Sequence, residues 1–238
     1  MSIHHTLSHK IKGPVAIDGP AASGKSTVAK RVAKEIGGFY ISTGDMYRAV
    51  SWAANHNGID PVTDTQGLVT LLREITFDCA PGEDGSPRLR VNGAELTQTE
   101  LHSPAVAANV SQVSAIPAVR EWLADYQRSA TRFGLVVLEG RDIGTVIFPD
   151  APHKFFLTAT PEERARRRLA QGGDIPEGAT IESVARDIAD RDYRDSTRSV
   201  APLRAADDAI LIDSSTLTID QVVDMITTHI ARQSDKSA

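Results

Sequence analysis

Cysteine is nearly missing from this 238-residue chain: only Cys79 occurs, so no internal disulfide can form. A fold stapled by disulfides is excluded, and a reducing compartment, the cytoplasm, is the expected location. Long apolar runs are missing too. None approaches the roughly 20 residues that cross a bilayer as a helix, so no membrane partner is expected. The first residues lack the continuous apolar segment and cleavage site of a secretory signal. Positive charge is in deficit: 26 Lys and Arg stand against 31 Asp and Glu, a formal net charge of −5. That balance disfavours general attraction to polyanions, and no nucleic-acid partner is expected. Any polyanion must be held by cations gathered locally. Internal repeats and long low-complexity stretches are also lacking.

What the chain does have is Gly19-Pro-Ala-Ala-Ser-Gly-Lys-Ser-Thr27, which fits G-x-x-x-x-G-K-[ST]. Here the glycines let successive backbone N–H groups converge on phosphate oxygens. Lys25 reaches the outer phosphates, and the Ser26 hydroxyl is placed for the accompanying magnesium. The candidate phosphate cradle is Gly19, Pro20, Ala21, Ala22, Ser23, Gly24, Lys25, Ser26 and Thr27. Ahead of it, Val15-Ala-Ile17 reads as a buried strand. Behind it, Val28, Val32, Ala33 and Ile36 recur at helical spacing until Gly37-Gly38. Strand, glycine loop and helix aim a helix N-terminus at an anion. A bound nucleoside triphosphate is the expectation.

With 41% hydrophobic residues the chain can bury a sizeable core. Strand-like runs at 14–18, 135–138, 154–158 and 209–212, and weakly at 39–41, alternate with helical patterns. That predicts a parallel sheet covered on both faces, with ligands beyond the strand C-termini. Residues 75–98 break the rhythm. Short strands punctuated by Pro81-Gly82, Asp84-Gly85 and Asn92-Gly93 predict an inserted antiparallel sheet. Helices are expected beside it near 64–74 and 103–132. His4, His5 and His9 lie in a segment without periodicity and receive no role.

Three further segments suggest phosphate chemistry. Ser42-Thr-Gly-Asp-Met-Tyr-Arg48 reads as a helix capped by Ser42 or Thr43 with Arg48 one turn on; it suits a second phosphate or a plain capped helix equally. Leu138-Glu-Gly-Arg-Asp-Ile-Gly144 ends the strongest apolar run. There, Glu139 can organise waters around magnesium, Arg141 can grip phosphate, and Gly140 and Gly144 can turn the backbone sharply. Arg164, Arg167 and Arg168 share one helical face, and Arg191, Arg194 and Arg198 another. Asp187, Asp190 and Asp192 nearby also permit a solvated, ion-paired helix. No Asn-Lys pair occurs, so the usual guanine-reading motif is lacking.

These segments closely resemble bacterial cytidylate kinases, within the nucleoside monophosphate kinases. The resemblance runs from about Gly13 to Ile230. It is carried by GPAASGKST, STGDMYR, NVSQVSAIPAVR (109–120), EGRDIGTVIFPDA (139–151) and RDYRDSTRSVAPL (191–203). It implies a P-loop three-layer α/β fold: a five-stranded parallel sheet, an inserted small antiparallel sheet in the acceptor-binding lobe, and a helical lid. The implied layout is a mobile segment over 1–12, one kinase domain over 13–233 and a tail over 234–238. Within the domain the core covers about 13–41, 133–160 and 200–233, the acceptor lobe about 42–132, and the lid about 161–199.

The implied reaction moves the terminal phosphate of ATP to CMP or dCMP with Mg2+. By resemblance, Thr43, Arg48, Arg141 and Arg198 surround the acceptor phosphate. Ser111, Arg120 and Asp142 read cytosine, Arg191 and Asp195 hold the sugar hydroxyls, and Arg164 and Arg168 are lid arginines over ATP. Lys25, Arg48, Arg141 and Arg198 form the catalytic set, while Ser26 and, through water, Glu139 hold the metal. Two departures stand out: Thr43 where serine is common, and Glu139 where aspartate often precedes Gly-Arg-Asp. A lid hinge is expected near 171–176, because water must be kept from ATP. The rivals are a kinase for a different acceptor and a nucleotide-binding regulatory module. A monomer is the default.

Overall fold

The computed structural model describes residues 11–171 and 178–236. They form two compact units: the described residues of 1–42, 131–171 and 177–238, and the stretch Thr43–Ala130. The expected hinge at 171–176 lies, beyond Gln171, outside the described residues, as do the histidines of the first ten positions.

The first unit is built on five parallel strands: β1 (Val15–Asp18), β2 (Phe39–Ser42), β6 (Val136–Gly140), β7 (His153–Thr158) and β8 (Ile210–Asp213). Their order is β2-β6-β1-β7-β8, so β1 is central and pairs with β6 and β7. All four residues of β1 are buried, as a strand covered on both faces requires. All five expected strands are present.

Helix α1 (Lys25–Ile36) follows the glycine loop and stops at Gly37, whose φ of 69° closes the last turn. Its apolar stripe Val28, Val32 and Ile36 packs with Ile17, Phe155 and Leu157 of the sheet. Val222, Ile226 and Ile230 of α9 (Ile219–Lys236) join the same core. Ile11 also packs there, and α9 runs to Lys236 with Ser234 buried. The folded chain therefore extends past both expected limits, 13 and 233. Between β7 and β8 come α7 (Pro161–Gln171) and α8 (Ile181–Thr197), which pack on each other.

The second unit comprises α2 (Thr43–His56), α3 (Thr65–Glu74), the hairpin strands β3 (Phe77–Pro81), β4 (Pro87–Val91) and β5 (Ala94–Glu95), then α4 (Gln98–Leu101), α5 (Pro104–Val113) and α6 (Pro117–Ser129). The antiparallel insert matches expectation. Asn92 and Gly93 turn between β4 and β5 with φ of 49° and 79°, the left-handed pair that a two-residue hairpin needs. Phe77 of β3 packs edge-on against Trp122 and Tyr126 of α6. The expected helix over 103–132 is instead α5, α6 and a 3-10 turn at Ala130–Phe133. Pro117 explains the first break, since it disfavours helical backbone at Ile116 and can only start a new helix.

Candidate functional site

The central strand delivers the glycine loop. Gly19 has φ of 151°, and a Cβ there would lie 2.0 Å from the Leu157 carbonyl oxygen, so only glycine lets the loop leave β1 this close to β7. Ala22 sits at φ of 58° and Gly24 at 89°. Gly24 is the N-cap of α1 and no side chain caps that end, nor does an acidic residue occupy the first turn. The helix therefore presents uncapped amides to an anion. The Ser23 hydroxyl is fully buried with no hydrogen-bond partner among the described residues.

Lys25 is buried beneath this loop and donates to the Pro20 carbonyl at 2.8 Å. Burial, reinforced by the Arg141 guanidinium, lowers its pKa to about 7, although Glu139 and Asp18 pull the other way. A phosphate arriving at the loop supplies the counter-charge that restores the ammonium form. Ser26 Oγ donates to Glu139 Oε1 at 3.0 Å, and Ser42 Oγ donates to the same oxygen at 2.9 Å. The two expected metal-side residues are thus brought together.

Past β6 the chain coils into a single π-helical turn, Ile143–Ile147. Neither Gly140 nor Gly144 has positive φ, so the expected sharp glycine turn is corrected. Gly144 serves close packing instead: a Cβ there would approach Lys154 Cδ to 3.2 Å and Asp18 Oδ2 to 3.5 Å. Asp18, the last residue of β1, accepts from the Ile143 and Gly144 amides at 2.9 and 2.8 Å. Those bonds favour its carboxylate, yet burial outweighs them and raises its pKa to about 7.

An arginine cluster lies on the same unit. Arg141 Nε donates to Asp195 Oδ2 at 3.0 Å, while Arg198 lies 3.7 Å from both Asp195 and Asp142. Asp195, expected at the sugar, is here the carboxylate that unites two cations. Such burial of guanidiniums requires it. Arg191 contributes to the positive field at Lys25. Arg164 is buried and donates to the Ala21 carbonyl at 3.1 Å, while Arg168 is half-buried. Arg167, on the expected face but given no role, donates to the Ser23 carbonyl at 3.3 Å and to Ser214 Oγ at 3.0 Å.

In the second unit, Thr43 begins α2 and is buried. Arg48, also buried, donates to the Leu101 carbonyl at 3.2 Å. Arg120 donates to the Ser114 carbonyl at 2.9 Å and lies over the Tyr47 ring, 5.4 Å from its centre. Ser111 Oγ is buried without a hydrogen-bond partner among the described residues.

Sequence reasoning gave no site role to Asp18, Asp192 or Ser214, and read Asp192 only as part of a solvated, ion-paired helix. A signal existed for two of them. Asp18 ends an otherwise apolar strand, and the packed stripe of α8, Val184 and Ile188, continues at the same spacing into Asp192 and Asp195.

The family described as Cytidylate kinase matches residues 15–232. The chain belongs to the cytidylate kinase family. A cytidylate kinase of Limosilactobacillus reuteri is 46% identical over 225 residues, covering 94% of this chain and 97% of its own. The cytidylate kinase of Pseudomonas aeruginosa is 44% identical, covering 92% and 95%. A bifunctional pantoate ligase/cytidylate kinase from Synechococcus is 46% identical, the match spanning 43% of its length. Among solved structures, an uncharacterized protein from Eubacterium ventriosum superposes with a TM-score of 0.51 at 16% identity. It covers 92% of this chain and 98% of that one, and supports the fold alone. Among the described residues no helix is long and apolar enough to cross a membrane.

Proposed function

We propose that this protein transfers the terminal phosphate of ATP to CMP or dCMP, giving ADP and the nucleoside diphosphate. One observation carries the reading beyond family membership: an uncapped helix N-terminus presents its amides beside the buried Lys25, with the guanidiniums of Arg141 and Arg191 close enough to act on its charge. Two polyanions repel one another, so bringing donor and acceptor phosphates into line needs concentrated positive charge. The acceptor phosphate is already an anionic nucleophile, and no carboxylate base is required. Lys25 binds the outer donor phosphates, while Arg48, Arg141 and Arg198 hold the acceptor phosphate and the transferring group.

Ser26 Oγ and Glu139 Oε1, two hard oxygens in contact, fit a magnesium ion that keeps most of its shell for phosphates and water. When bound there, magnesium neutralises charge on the outer phosphates. Ser42 donates to the same Glu139 oxygen and helps to orient that carboxylate. Arg164 and Arg168 close on ATP. Thr43, Ser111, Arg120, Asp142, Arg191 and Asp195 are assigned to the acceptor nucleotide; the Ser111 hydroxyl, without a hydrogen-bond partner among the described residues, supports a ligand there. Cytosine offers an amine donor beside N3 and O2 acceptors, a pattern that an aspartate and an arginine complement and that uracil inverts. A chain whose single cysteine, Cys79, is buried supports a cytoplasmic location.

The test is ADP formation with CMP, dCMP, UMP, AMP and shikimate as acceptors. CMP and dCMP are expected to lead. A lead for AMP or shikimate, or ATP binding without acceptor-stimulated turnover, overturns the reading. Arg120→Ala and Asp142→Ala should each cut the preference for CMP over UMP by roughly 10- to 100-fold while leaving the ATP KM within about threefold.

A further inference from the structure

The phosphate loop is gripped by a carboxylate, an unexpected group beside a site for polyanions. Asp192 Oδ1 of α8 accepts from the Ala21 amide at 2.9 Å. Its other oxygen pairs with Arg164 of α7, which in turn donates to the Ala21 carbonyl at 3.1 Å. Both backbone polar groups of one loop residue are therefore held by an ion pair whose members come from two different helices. The next residue, Ala22, sits at φ of 58°, a conformation a non-glycine residue keeps only when its surroundings impose it.

We infer that Asp192 is a positioning residue for phosphoryl transfer: by bridging Ala21 and Arg164, it fixes that guanidinium against the loop where the donor's outer phosphates bind. The inference rests on the ATP-dependent reaction proposed above. Arg164 Nε donates to the Ala159 carbonyl at 3.2 Å, so one edge of the guanidinium is tied to the strand end and Nη1 to Ala21 and Asp192. Among the described residues nothing accepts from Nη2, which leaves two N–H groups for a phosphate.

A carboxylate so close to the loop opposes ground-state binding of ATP, because like charges repel and the Ala21 amide is already taken. Its contribution therefore lies in geometry. A catalytic cation misplaced by about 1 Å can cost on the order of a hundredfold in rate. Asp192 and Arg164 together carry no net charge, so the pair adds order to the loop and leaves its potential to Lys25 and Arg141. This accounts for a buried stripe of α8 that passes from Val184 and Ile188 into acidic residues.

The experiment compares wild type, Asp192→Asn, Asp192→Glu, Arg164→Lys and the double variant Asp192→Asn/Arg164→Lys in the CMP-dependent ADP assay, with melting temperatures and ATP-analogue binding measured in parallel. Asp192→Asn removes the charge at constant shape. Its kcat should fall about 10- to 100-fold while the ATP KM stays level or drops, the signature of a lost transition-state contact with relieved repulsion. Asp192→Glu should recover part of kcat. Because Asp192 acts through Arg164, the double variant should lose no more than the worse single variant. A kcat within about threefold of wild type, multiplied losses in the double variant, or an ATP KM that rises in step with a falling melting temperature overturns the inference. An inactive wild type overturns the reaction assignment instead, so the two failures are distinguishable.

Discussion

Two regions of this molecule carry arginine–carboxylate networks of the same chemistry in opposite surroundings. Around the phosphate loop, the side chains of Arg164 and Arg198 are 10% and 7% exposed, and their partners Asp192 and Asp195 19% and 7%. On the antiparallel insert, Glu95 bridges Arg88 and Arg90 at 3.0 Å each, yet both arginines are nearly 40% exposed. The paired groups are alike; the dielectric is not. Water can replace Glu95 at little cost, whereas a buried guanidinium has only protein or ligand to answer its charge. Counting arginines in the chain does not separate the two networks. Their burial does.

Removing the central cation should produce the largest effect and test whether the loop network is catalytic. Lys25→Met keeps the stem that fills the loop and deletes the ammonium that donates to Pro20. We expect kcat/KM for ATP with CMP to fall by about 10²–10³-fold, the usual cost of deleting one preorganised charge at a transition state. A loss under about tenfold would place this lysine among the structural groups of the loop and break the comparison.

Much of this was legible beforehand because it rests on local rules. The five parallel strands follow from short apolar runs, and the insert from Asn92-Gly93 between alternating strands. The loop announces itself through Gly19, Gly24, Lys25 and Ser26. Arg141, Asp195 and Arg198 were named, but their mutual pairing was not, because pairing depends on how α8 packs against the end of β6. Asp18 escaped because its one signal, a carboxylate ending an apolar strand, names no partner; its role appears only when Ile143 and Gly144, some 125 residues later, bring their amides to it. Arg167 lay on the right face, yet periodicity cannot say which arginines of a face touch the loop. The break before α6 shows a local rule overriding a longer helical pattern, since Pro117 was visible throughout.

Asp18 gives an intermediate effect whose sign is fixed by its buried state. Its folded pKa, about 7, stands above the ordinary 3.8. The stability it contributes is therefore fully present below about pH 4 and is lost as pH rises through 7. Lys25, also near 7 but depressed from 10.5, acts over a different window: its contribution is present above the ordinary 10.5 and is lost as pH falls from there through 7. Between pH 5 and 7 the change thus belongs to Asp18. In ligand-free protein, the melting temperature of Asp18→Asn should gain on wild type as pH increases from 5 to 8. The gain should be a few degrees, at about 2–4 °C per kcal/mol for a chain of this size. Parallel pH curves for the two proteins would show the carboxylate to be ionised throughout and would move Asp18 into the solvated class.

The smallest effect belongs to the insert, and its smallness is the point. Glu95→Ala removes the carboxylate that spans Arg88 and Arg90 across neighbouring strands. Arg88 keeps Asp84 at 3.3 Å and Arg90 keeps Asp78 at 3.6 Å, so neither cation loses its only counter-charge. Beneath the ladder, Phe77, Cys79, Leu89 and Val91 remain buried and continue to hold the strands. The melting temperature should shift by less than about 2 °C, and raising the salt concentration should shrink even that difference. Turnover with CMP should match wild type. A large loss of activity from Glu95→Ala would show that the insert's charges act on substrate despite their exposure, and burial would no longer separate functional arginines from solvated ones in this chain.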